Sequence, residues 1–464
     1  MTVQEHAATA SWERLASSLQ GALLLPGTIA YDEAAKTARP LPNAPQPRAI
    51  VRAAGADDVA TAIRFGRDQG IQTVPRCGGH CYAGRSSTAG LLIDVGPMNR
   101  IELAGTRVTV GAGARLGGIY DVLAPAGRML PAGTCPTVGI SGQVLGGGFG
   151  FMGRAYGLAC DYLVSAQVVL ADGSIVQCAA THEPDLFWAL RGAGGGQLGV
   201  LTDLVFETVS LPPVMTSFDL TWSYEHAAAV MTAYQRWAQV APDEYDLDLR
   251  LFAPADPARA PEVHLFGSML GTGPLDVVTD IIAAVGVAPE WVFHEQGDYL
   301  GEVERLETVG PGYSPDSTKV RCVKSEFFRE PMPAEAITHL VAKLVADRVP
   351  GQIREYSFSP WGGGYNRMPT EATAFAHREE AFLLEYSVEV EEATAPAWLD
   401  EVWQFAHRWG SGRVYPNFPD AGLTDWESAY HGPNLDRLRE VKRRYDPDNF
   451  FRFHQSVLPA DSKN

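Results

Sequence analysis

Glycine is concentrated in one stretch of the chain, and this distribution constrains the fold more than any other feature of the sequence. Of the 464 residues, 47 are glycine, and they cluster between Gly78 and Gly199. This is about 10% of the chain, against roughly 7% in average proteins. Because glycine has no Cβ, a glycine-rich backbone turns tightly and approaches a bound molecule closely. The sequence therefore predicts that this stretch holds a ligand against its backbone.

The balance of charged residues excludes several kinds of partner. Lysine and arginine number 37, and aspartate and glutamate 55, which gives a formal net charge of −18. A surface this acidic repels phosphate backbones and anionic lipid headgroups, so we expect neither nucleic acid nor a membrane as partner. The first residues show no leader pattern, and no apolar run reaches the ~18 residues of a membrane span, which favours a cytoplasmic protein.

The organisation of the chain changes after Leu211-Pro-Pro. Before this point the pattern predicts short strands, a helix over Leu116–Leu123 and a hairpin over residues 162–178. After it, strands of roughly five to eight residues, such as Leu247–Phe252, alternate with longer amphipathic helices, such as residues 226–239. The second region is typical of an antiparallel sheet with helices on one face. We therefore predict an α+β protein of at least two domains.

Two local motifs suggest other functions but lack the context that these functions need. Gly148-Phe-Gly150-Phe-Met-Gly153 matches the dinucleotide fingerprint, yet Gly139 and Gly142 interrupt the segment where the preceding strand would lie. This leaves a nicotinamide-dependent dehydrogenase as a minor alternative. Cys77, His80 and Cys81 are close in sequence, but no second Cys/His pair at ligand spacing follows, so we expect no metal site.

Several motifs, in the same order and spacing, resemble one flavoprotein family. They are Arg76-x-Gly-Gly-His80, Gly133-Thr-Cys135-Pro-Thr-Val-Gly139, Gly146-Gly-Gly-Phe-Gly150, Arg154-x-Tyr-Gly-Leu158-x-x-Asp161, Gly194-Gly-Gly-Gln-Leu-Gly-Val200, Tyr415-Pro-Asn417-Phe-Pro-Asp420 and Tyr445-Asp-Pro-Asp-Asn449-Phe450-Phe-Arg-Phe453. Together they resemble the berberine-bridge-enzyme-like branch of the vanillyl-alcohol-oxidase family of PCMH-type FAD-linked oxidases. The resemblance runs from about residue 30 to 458.

The resemblance implies a two-domain PCMH-type fold with covalently attached FAD. Residues 1–208 and the C-terminal return 411–464 would form the FAD-binding domain, and residues 209–410 the substrate domain. His80 would be joined to the 8α-methyl of FAD and Cys135 to C6 of the same ring, linkages that suit an imidazole and a thiolate as nucleophiles. The resemblance and the glycine pattern give as cofactor-binding residues Arg76, Gly78, Gly79, His80, Cys81, Gly84, Gly133, Thr134, Cys135, Val138, Gly139, Gly142, Gln143, Gly146, Gly147, Gly148, Gly150, Leu158, Asp161, Gly199, Val200, Tyr415 and Asn417.

The sequence departs from the family at one of these positions. Where relatives often have histidine near flavin N1 and C2=O, this chain has Gln143. Glutamine donates a hydrogen bond but carries no positive charge, so its effect on the flavin potential stays open.

The catalytic candidates implied by the resemblance are Glu385 and Tyr415. Glu385-Tyr386 matches the family's polar residue followed by tyrosine, and Tyr415 falls on its Tyr-x-Asn tyrosine. Glu389 competes with Glu385, because residues four apart on a strand share a face, and the two would stand about 13 Å apart along it. The tyrosine after Glu385 favours Glu385, while the choice between Glu385 and Tyr415 as the base stays open.

The function implied is a two-electron oxidation of an alcohol, sugar, phenol or amine, with hydride transfer to flavin N5 and reduction of O2 to H2O2. Val138 supports the oxidase assignment, because family members with valine there react readily with dioxygen, whereas leucine is found in dehydrogenases. An oxidative cyclase or dehydrogenase of natural-product biosynthesis is the main alternative, and a flavin-binding protein without turnover is another. The sequence does not identify the substrate. It also does not show whether the protein is a monomer or a homodimer.

Overall fold

The N-terminal part of the chain is built on two small sheets and a two-stranded ribbon. The computed structural model describes residues 11–39, 44–272, 276–309, 319–391 and 396–461. The strands of this part are β1 (Ala22–Leu24), β2 (Ala49–Arg52), β3 (Thr73–Arg76), β4 (Leu91–Asp94), β5 (Ile101–Ala104), β6 (Arg107–Gly111), β7 (Arg128–Met129), β8 (Leu163–Val169), β9 (Ile175–Ala179), β10 (Val200–Glu207) and β11 (Val209–Ser210).

The two sheets differ in strand direction. The first has the order β1-β2-β4-β3, in which β2 and β3 both run parallel to β4. The second, β5-β6-β10-β8-β9, is antiparallel throughout, and its β8–β9 hairpin confirms the one predicted from the sequence. The helices around them are α1 (residues 11–17), α2 (Ile29–Ala35), α3 (Ala56–Asp68), α4 (Leu116–Leu123), α5 (Ile140–Leu145), α6 (Gly153–Tyr156) and α7 (Pro184–Ala189).

The middle of the chain forms one antiparallel sheet covered by helices, as predicted. Its order is β15-β12-β14-β13-β17-β18-β16. The strands are β12 (Met215–Ser223), β13 (Tyr245–Ala253), β14 (Glu262–Leu270), β15 (Trp291–Gly297), β16 (Val320–Phe328), β17 (Ile353–Pro360) and β18 (Phe382–Val390). The helices are α8 (Ala227–Val240), α9 (Asp276–Val285), α10 (Tyr299–Val309), α11 (Ala334–Val345) and α12 (Ala397–Ala406). Together with the N-terminal sheets, this arrangement confirms the predicted α+β class.

Alternation along β13 shows how the seven-stranded sheet is oriented. Leu247, Leu249 and Leu251 are fully buried in a core shared with α8 and α11. The intervening Asp246 and Asp248 point to the other face, because successive side chains of a strand alternate. One face of the sheet is thus apolar and covered by helices, and the opposite face is polar and turns toward the N-terminal part.

The C-terminal segment packs against the N-terminal sheets. It contains α13 (Trp426–His431) and α14 (Leu435–Tyr445). Leu438 and Val441 of α14 share one hydrophobic core with Val51 and Ile63, more than 370 residues earlier in the chain. The predicted domain boundaries near residues 208 and 410 stay predictions.

Candidate active site

A cavity of about 400 Å³ separates the polar face of the seven-stranded sheet from the glycine-rich loops. Its wall combines residues from the N-terminal loops, from β13 and β17, and from the segment around Tyr415. Predicted cofactor-binding residues on this wall are Arg76, Gly78, Gly79, His80, Cys81, Gly133, Thr134, Cys135, Val138, Gly139, Gly142, Gln143, Gly150, Gly199, Val200, Tyr415 and Asn417. The fold therefore brings residues separated by more than 300 positions to one cavity.

One hydroxyl group contacts both predicted attachment residues. Thr137 Oγ1 lies 3.0 Å from His80 Nε2 and 3.4 Å from Cys135 Sγ. Gly79 precedes His80 with a φ of +71°, a conformation that glycine adopts without strain and that turns the chain after β3. Burial, together with the cations Arg39 and Arg115, lowers the pKa of His80 to about 4. The imidazole is therefore neutral at pH 7.

The glycines on the wall leave room beside the backbone. A Cβ added at Gly142 or Gly195 would meet no atom within 4 Å, so the wall has open space at both positions. Gly78 is different, because its Cβ would lie 2.5 Å from the backbone nitrogen of Gly139. The first two positions border space for a ligand, whereas Gly78 lets two loops pack closely.

Gln143 also lines the cavity, and its buried Oε1 has no hydrogen-bond partner among the described residues.

Helix α5, which carries Gln143, occupies the place where a dinucleotide fingerprint needs a strand. The structure therefore removes support from the nicotinamide alternative.

Several predicted cofactor-binding residues lie away from the cavity wall. A Cβ on Gly146 would contact the Asn417 side chain, and one on Gly147 or Gly148 would contact Phe375 or Ala159. Leu158 is fully buried in the core. Gly84 borders a second cavity of about 150 Å³. These residues shape the loops behind the wall.

Asp161 has a partner that the sequence did not indicate. Its carboxylate accepts hydrogen bonds from Arg378 at 2.6 and 2.9 Å and from the backbone N–H of Leu158 at 3.0 Å. The Arg378 side chain is 1% exposed and that of Asp161 is 9% exposed. This buried ion pair ties the loop after α6 to the segment before β18.

Tyr415 lies on the cavity wall, and its hydroxyl oxygen accepts three hydrogen bonds. Its oxygen accepts hydrogen bonds from the backbone N–H groups of Gly148 and Phe149, at 3.1 and 3.2 Å, and from Asn417 Nδ2 at 3.1 Å. Burial raises the pKa of Tyr415 to about 12, although these three donors lower it. The phenol is therefore protonated at neutral pH and fixes the position of the glycine-rich turn.

Glu385 is held by a buried arginine just behind the wall. Arg321 on β16 donates to Glu385 at 3.0 Å and to Glu389 at 3.1 Å, and it lies 3.3 Å from Glu355 on β17. Burial raises the pKa of Glu385, Arg321 lowers it, and the charge of Glu355 raises it again. The sequence analysis expected Glu385 and Glu389 to stand well apart along the strand. Their carboxylates nevertheless meet at one group, because both side chains bind the guanidinium of Arg321.

Sequence reasoning missed several titratable groups on the cavity wall, among them Tyr82, Asp246 and Asp248. Tyr82 lies two residues after His80, and Asp246 and Asp248 alternate with leucines along β13. Burial and their mutual repulsion raise the pKa of Asp246, while burial and the charge of Glu385 raise the pKa of Asp248 to about 7. The spacing of Tyr82 from His80 and the acidic alternation were the available signals, but neither forms a recognised motif.

In the part of the chain that the structure describes, no three histidine, cysteine, aspartate or glutamate side chains are grouped so that they could hold a metal ion. None of the helices described there combines the length and apolar character needed to cross a membrane.

Comparison with known proteins identifies relatives over nearly the whole chain. Residues 47–179 match the family described as "FAD binding domain", and residues 414–458 match "Berberine and berberine like". The chain is 30% identical to a FAD-linked oxidoreductase of Bacillus subtilis, over 96% of this chain and 99% of the relative. It is 31% identical to the xylooligosaccharide oxidase of Thermothelomyces thermophilus, over 89% of this chain and 88% of that enzyme.

A solved structure extends the likeness to three dimensions. The glucooligosaccharide oxidase of Acremonium strictum, which carries a 6-S-cysteinyl, 8α-N1-histidyl FAD, superimposes with a TM-score of 0.85 at 25% identity. The match covers 97% of this chain and 100% of that enzyme.

Proposed function

Because the chain belongs to the berberine-bridge-enzyme-like family of FAD-linked oxidoreductases, we propose that it oxidises a small-molecule alcohol, sugar, phenol or amine and passes the electrons to dioxygen. The products would be the oxidised substrate and hydrogen peroxide. The observation that carries this proposal is the cavity in which His80 and Cys135 meet at Thr137, opposite a polar sheet face. A covalently held ring on one wall and polar groups on the other suit oxidation of a polar substrate.

The chain's residues fit the flavin that the family implies. When bound, FAD supplies a ring that accepts a hydride and later returns two electrons to dioxygen. We propose that His80 and Cys135 attach this ring, since a neutral imidazole and a thiolate are the required nucleophiles. The open space beside Gly142 and Gly195 accommodates a planar group close to the backbone.

Glu385 is the proposed acceptor of the substrate proton. A carboxylate with a raised pKa is a better general base near neutral pH than an unperturbed one. Arg321 fixes the side chain at 3.0 Å, so the carboxylate is already oriented. Tyr415 is the alternative acceptor. Burial raises its pKa to about 12, which disfavours the phenolate that a base requires, although the three N–H donors on its oxygen lower that pKa.

The test of the proposed function begins with the visible spectrum of the purified protein. We expect a yellow protein whose colour stays with the polypeptide after acid precipitation. A peroxide-coupled assay with xylobiose, cellobiose, coniferyl alcohol and benzylamine then samples sugars, phenolic alcohols and amines. A colourless protein, or reduced flavin that persists for minutes in air-saturated buffer, would contradict an oxidase.

Single substitutions at the attachment residues are expected to leave the flavin joined by one bond. His80→Ala and Cys135→Ala should each keep flavin on the denatured chain, and the double variant should release it. Mass spectrometry of the denatured proteins measures the mass of one FAD on the chain. Cys81→Ala is the matched control, because this neighbouring thiol also lines the cavity, and it should keep both bonds. Release of all FAD from the denatured wild type would refute the attachment.

Val138→Leu is expected to slow reoxidation by dioxygen while leaving substrate-driven reduction nearly unchanged. Val138 lines the cavity three residues after Cys135, and its backbone N–H bonds Cys135 O at 3.2 Å. One added methylene at this position fills the small space that dioxygen needs. Stopped-flow absorbance resolves the two half-reactions. Val138→Ala, which enlarges the space, should reoxidise at least as fast as the wild type, and equal rates in all three proteins would rule out this role.

A further inference from the structure

A tight turn begins at Cys135, one of the two proposed attachment residues. It consists of Cys135, Pro136, Thr137 and Val138, and the Val138 N–H donates to Cys135 O at 3.2 Å. Pro136 occupies the second position of this turn, where the fixed φ of proline is favourable. Cys135 and Val138 line the cavity, whereas Thr137 is not part of its wall. Thr137 therefore acts on a bound group only through its neighbours.

A close contact between two loops puts His80 against this turn. A Cβ added at Gly78 would lie 2.5 Å from Gly139 N and 3.0 Å from Thr137 O, so the loops touch through their backbones. His80 follows Gly78 by two residues, and its Nε2 lies 3.0 Å from Thr137 Oγ1. Burial lowers the pKa of His80, and a backbone hydrogen bond to Thr137 partly opposes this effect. Thr137 thus holds the imidazole through its hydroxyl and through its backbone.

The hydroxyl of Thr137 has one proton and two partners, His80 Nε2 at 3.0 Å and Cys135 Sγ at 3.4 Å. In one arrangement Nε2–H donates to Oγ1 and Oγ1–H donates to Sγ, so Nδ1 has the lone pair. In the reverse arrangement S–H donates to Oγ1 and Oγ1–H donates to Nε2, so Nδ1 and sulfur both carry protons. A neutral imidazole has one N–H, so the direction of this hydroxyl group is linked to the tautomer of His80.

We propose that Thr137 is a positioning residue that prepares His80 and Cys135 together for flavin attachment. This role rests on the proposed function. Thr137 accepts from Nε2–H and donates to Sγ, which leaves the lone pair on Nδ1 and stabilises negative charge on sulfur. One hydroxyl group thereby produces both nucleophiles that attachment requires. Each attachment replaces a flavin C–H bond and an N–H or S–H bond with a C–N or C–S bond, and dioxygen takes up the two protons and two electrons as hydrogen peroxide.

The first test compares Thr137→Val and Thr137→Ser with the wild type. Valine keeps the shape of threonine without the hydroxyl, and serine keeps the hydroxyl. After a pulse of isotope-labelled amino acids, mass spectrometry of the denatured chains follows the gain of FAD with time. Attachment should slow by about 10- to 100-fold in Thr137→Val, the usual loss when the partner that orients a ligating histidine is removed. Thr137→Ser should restore most of the rate. Thr338→Val is the control and should attach flavin at the wild-type rate, because Thr338 bonds Ala334 O on an exposed helix surface.

The same proteins separate flavin binding from flavin attachment. Early in the chase, native Thr137→Val should hold FAD, because the hydroxyl lies behind the cavity wall, and acid precipitation should release it. Peptide mapping should show that the linkages at His80 and Cys135 are both delayed. A delay at only one of them, attachment at the wild-type rate, or a native variant that does not hold FAD would overturn the inference.

The tautomer of His80 provides a measurement that needs no flavin. In full-length protein from riboflavin-limited cells, ¹⁵N spectra of labelled histidine, assigned by their loss in His80→Ala, should show the proton on Nε2 at pH 7. Thr137→Val should shift part of the population to Nδ1–H. A wild type with the proton on Nδ1, or an unchanged tautomer in Thr137→Val, would overturn the inference. Failure of the proposed function would instead appear as a wild type that never gains the mass of FAD.

Discussion

Replacing Glu385 with glutamine is expected to slow flavin reduction by about 10²- to 10⁴-fold, the usual loss when a general base is removed. Glutamine keeps the size and hydrogen bonding of the side chain but accepts no proton. In the wild type the rate should rise with pH through the pKa of Glu385, because only the ionised carboxylate accepts a proton. Since burial raises that pKa, the rise should come at higher pH than for an ordinary glutamate. Stopped-flow reduction across a pH series measures both effects.

Glu389→Gln is the matched control for this experiment. Glu389 lies on the same strand and face and binds the same Arg321, at 3.1 Å. A loss confined to Glu385→Gln therefore assigns the effect to proton acceptance and separates it from disruption of the arginine cluster. A larger loss in Tyr415→Phe would transfer the role of base to the tyrosine, and unchanged rates in both variants would refute the site.

The second large effect concerns stability. Arg378→Gln should lower the free energy of unfolding by about 3–5 kcal/mol, because it leaves the buried carboxylate of Asp161 without its cation. Arg378 also donates to Thr373 Oγ1 and Tyr365 O, at 3.0 and 3.1 Å, so further buried acceptors lose a donor. Urea unfolding followed by fluorescence measures the change.

Arg437→Gln provides the comparison for the stability measurement. Arg437 pairs with Asp185 at 3.0 Å, but their side chains are 46% and 45% exposed. An exposed pair contributes about 0–1 kcal/mol. Equal losses of unfolding free energy in Arg378→Gln and Arg437→Gln would show that the buried pair of Arg378 and Asp161 stabilises the fold no more than an exposed pair does.

Local patterns in the sequence predicted the elements well. The helix over Leu116–Leu123 has the predicted bounds, and β13 extends the predicted strand by two residues at its start and one at its end. Such elements depend on periodicity and on turn residues within a few positions. The sequence also predicted the glycine-rich loops, His80 and Cys135 as cofactor-binding, because they form motifs whose order and spacing resemble the family, and the structure puts both residues on the cavity wall.

Contacts that depend on distant strands could not be predicted in this way. Arg321 meets Glu385 only because β16 pairs with β18, which puts residues 64 positions apart on one sheet face. Asp161 matched a cofactor motif, but its partner Arg378 lies 217 residues away. Tyr82 has no motif of its own, and only the folded loop after β3 puts it on the cavity wall. Strand register and side-chain direction, which local sequence does not specify, decide all three cases.

The composition of the cavity wall has a consequence for biosynthesis. Its residues come from most of the chain's length, and Tyr415 and Asn417 are translated after nearly all the others. While the ribosome is still making residues 246–365, the loops that carry His80 and Cys135 have emerged without the segment that closes the wall. The nascent chain therefore has the nucleophiles long before it has the complete pocket. Covalent loading should follow translation, and an attached flavin would then mark a chain that has been both finished and folded.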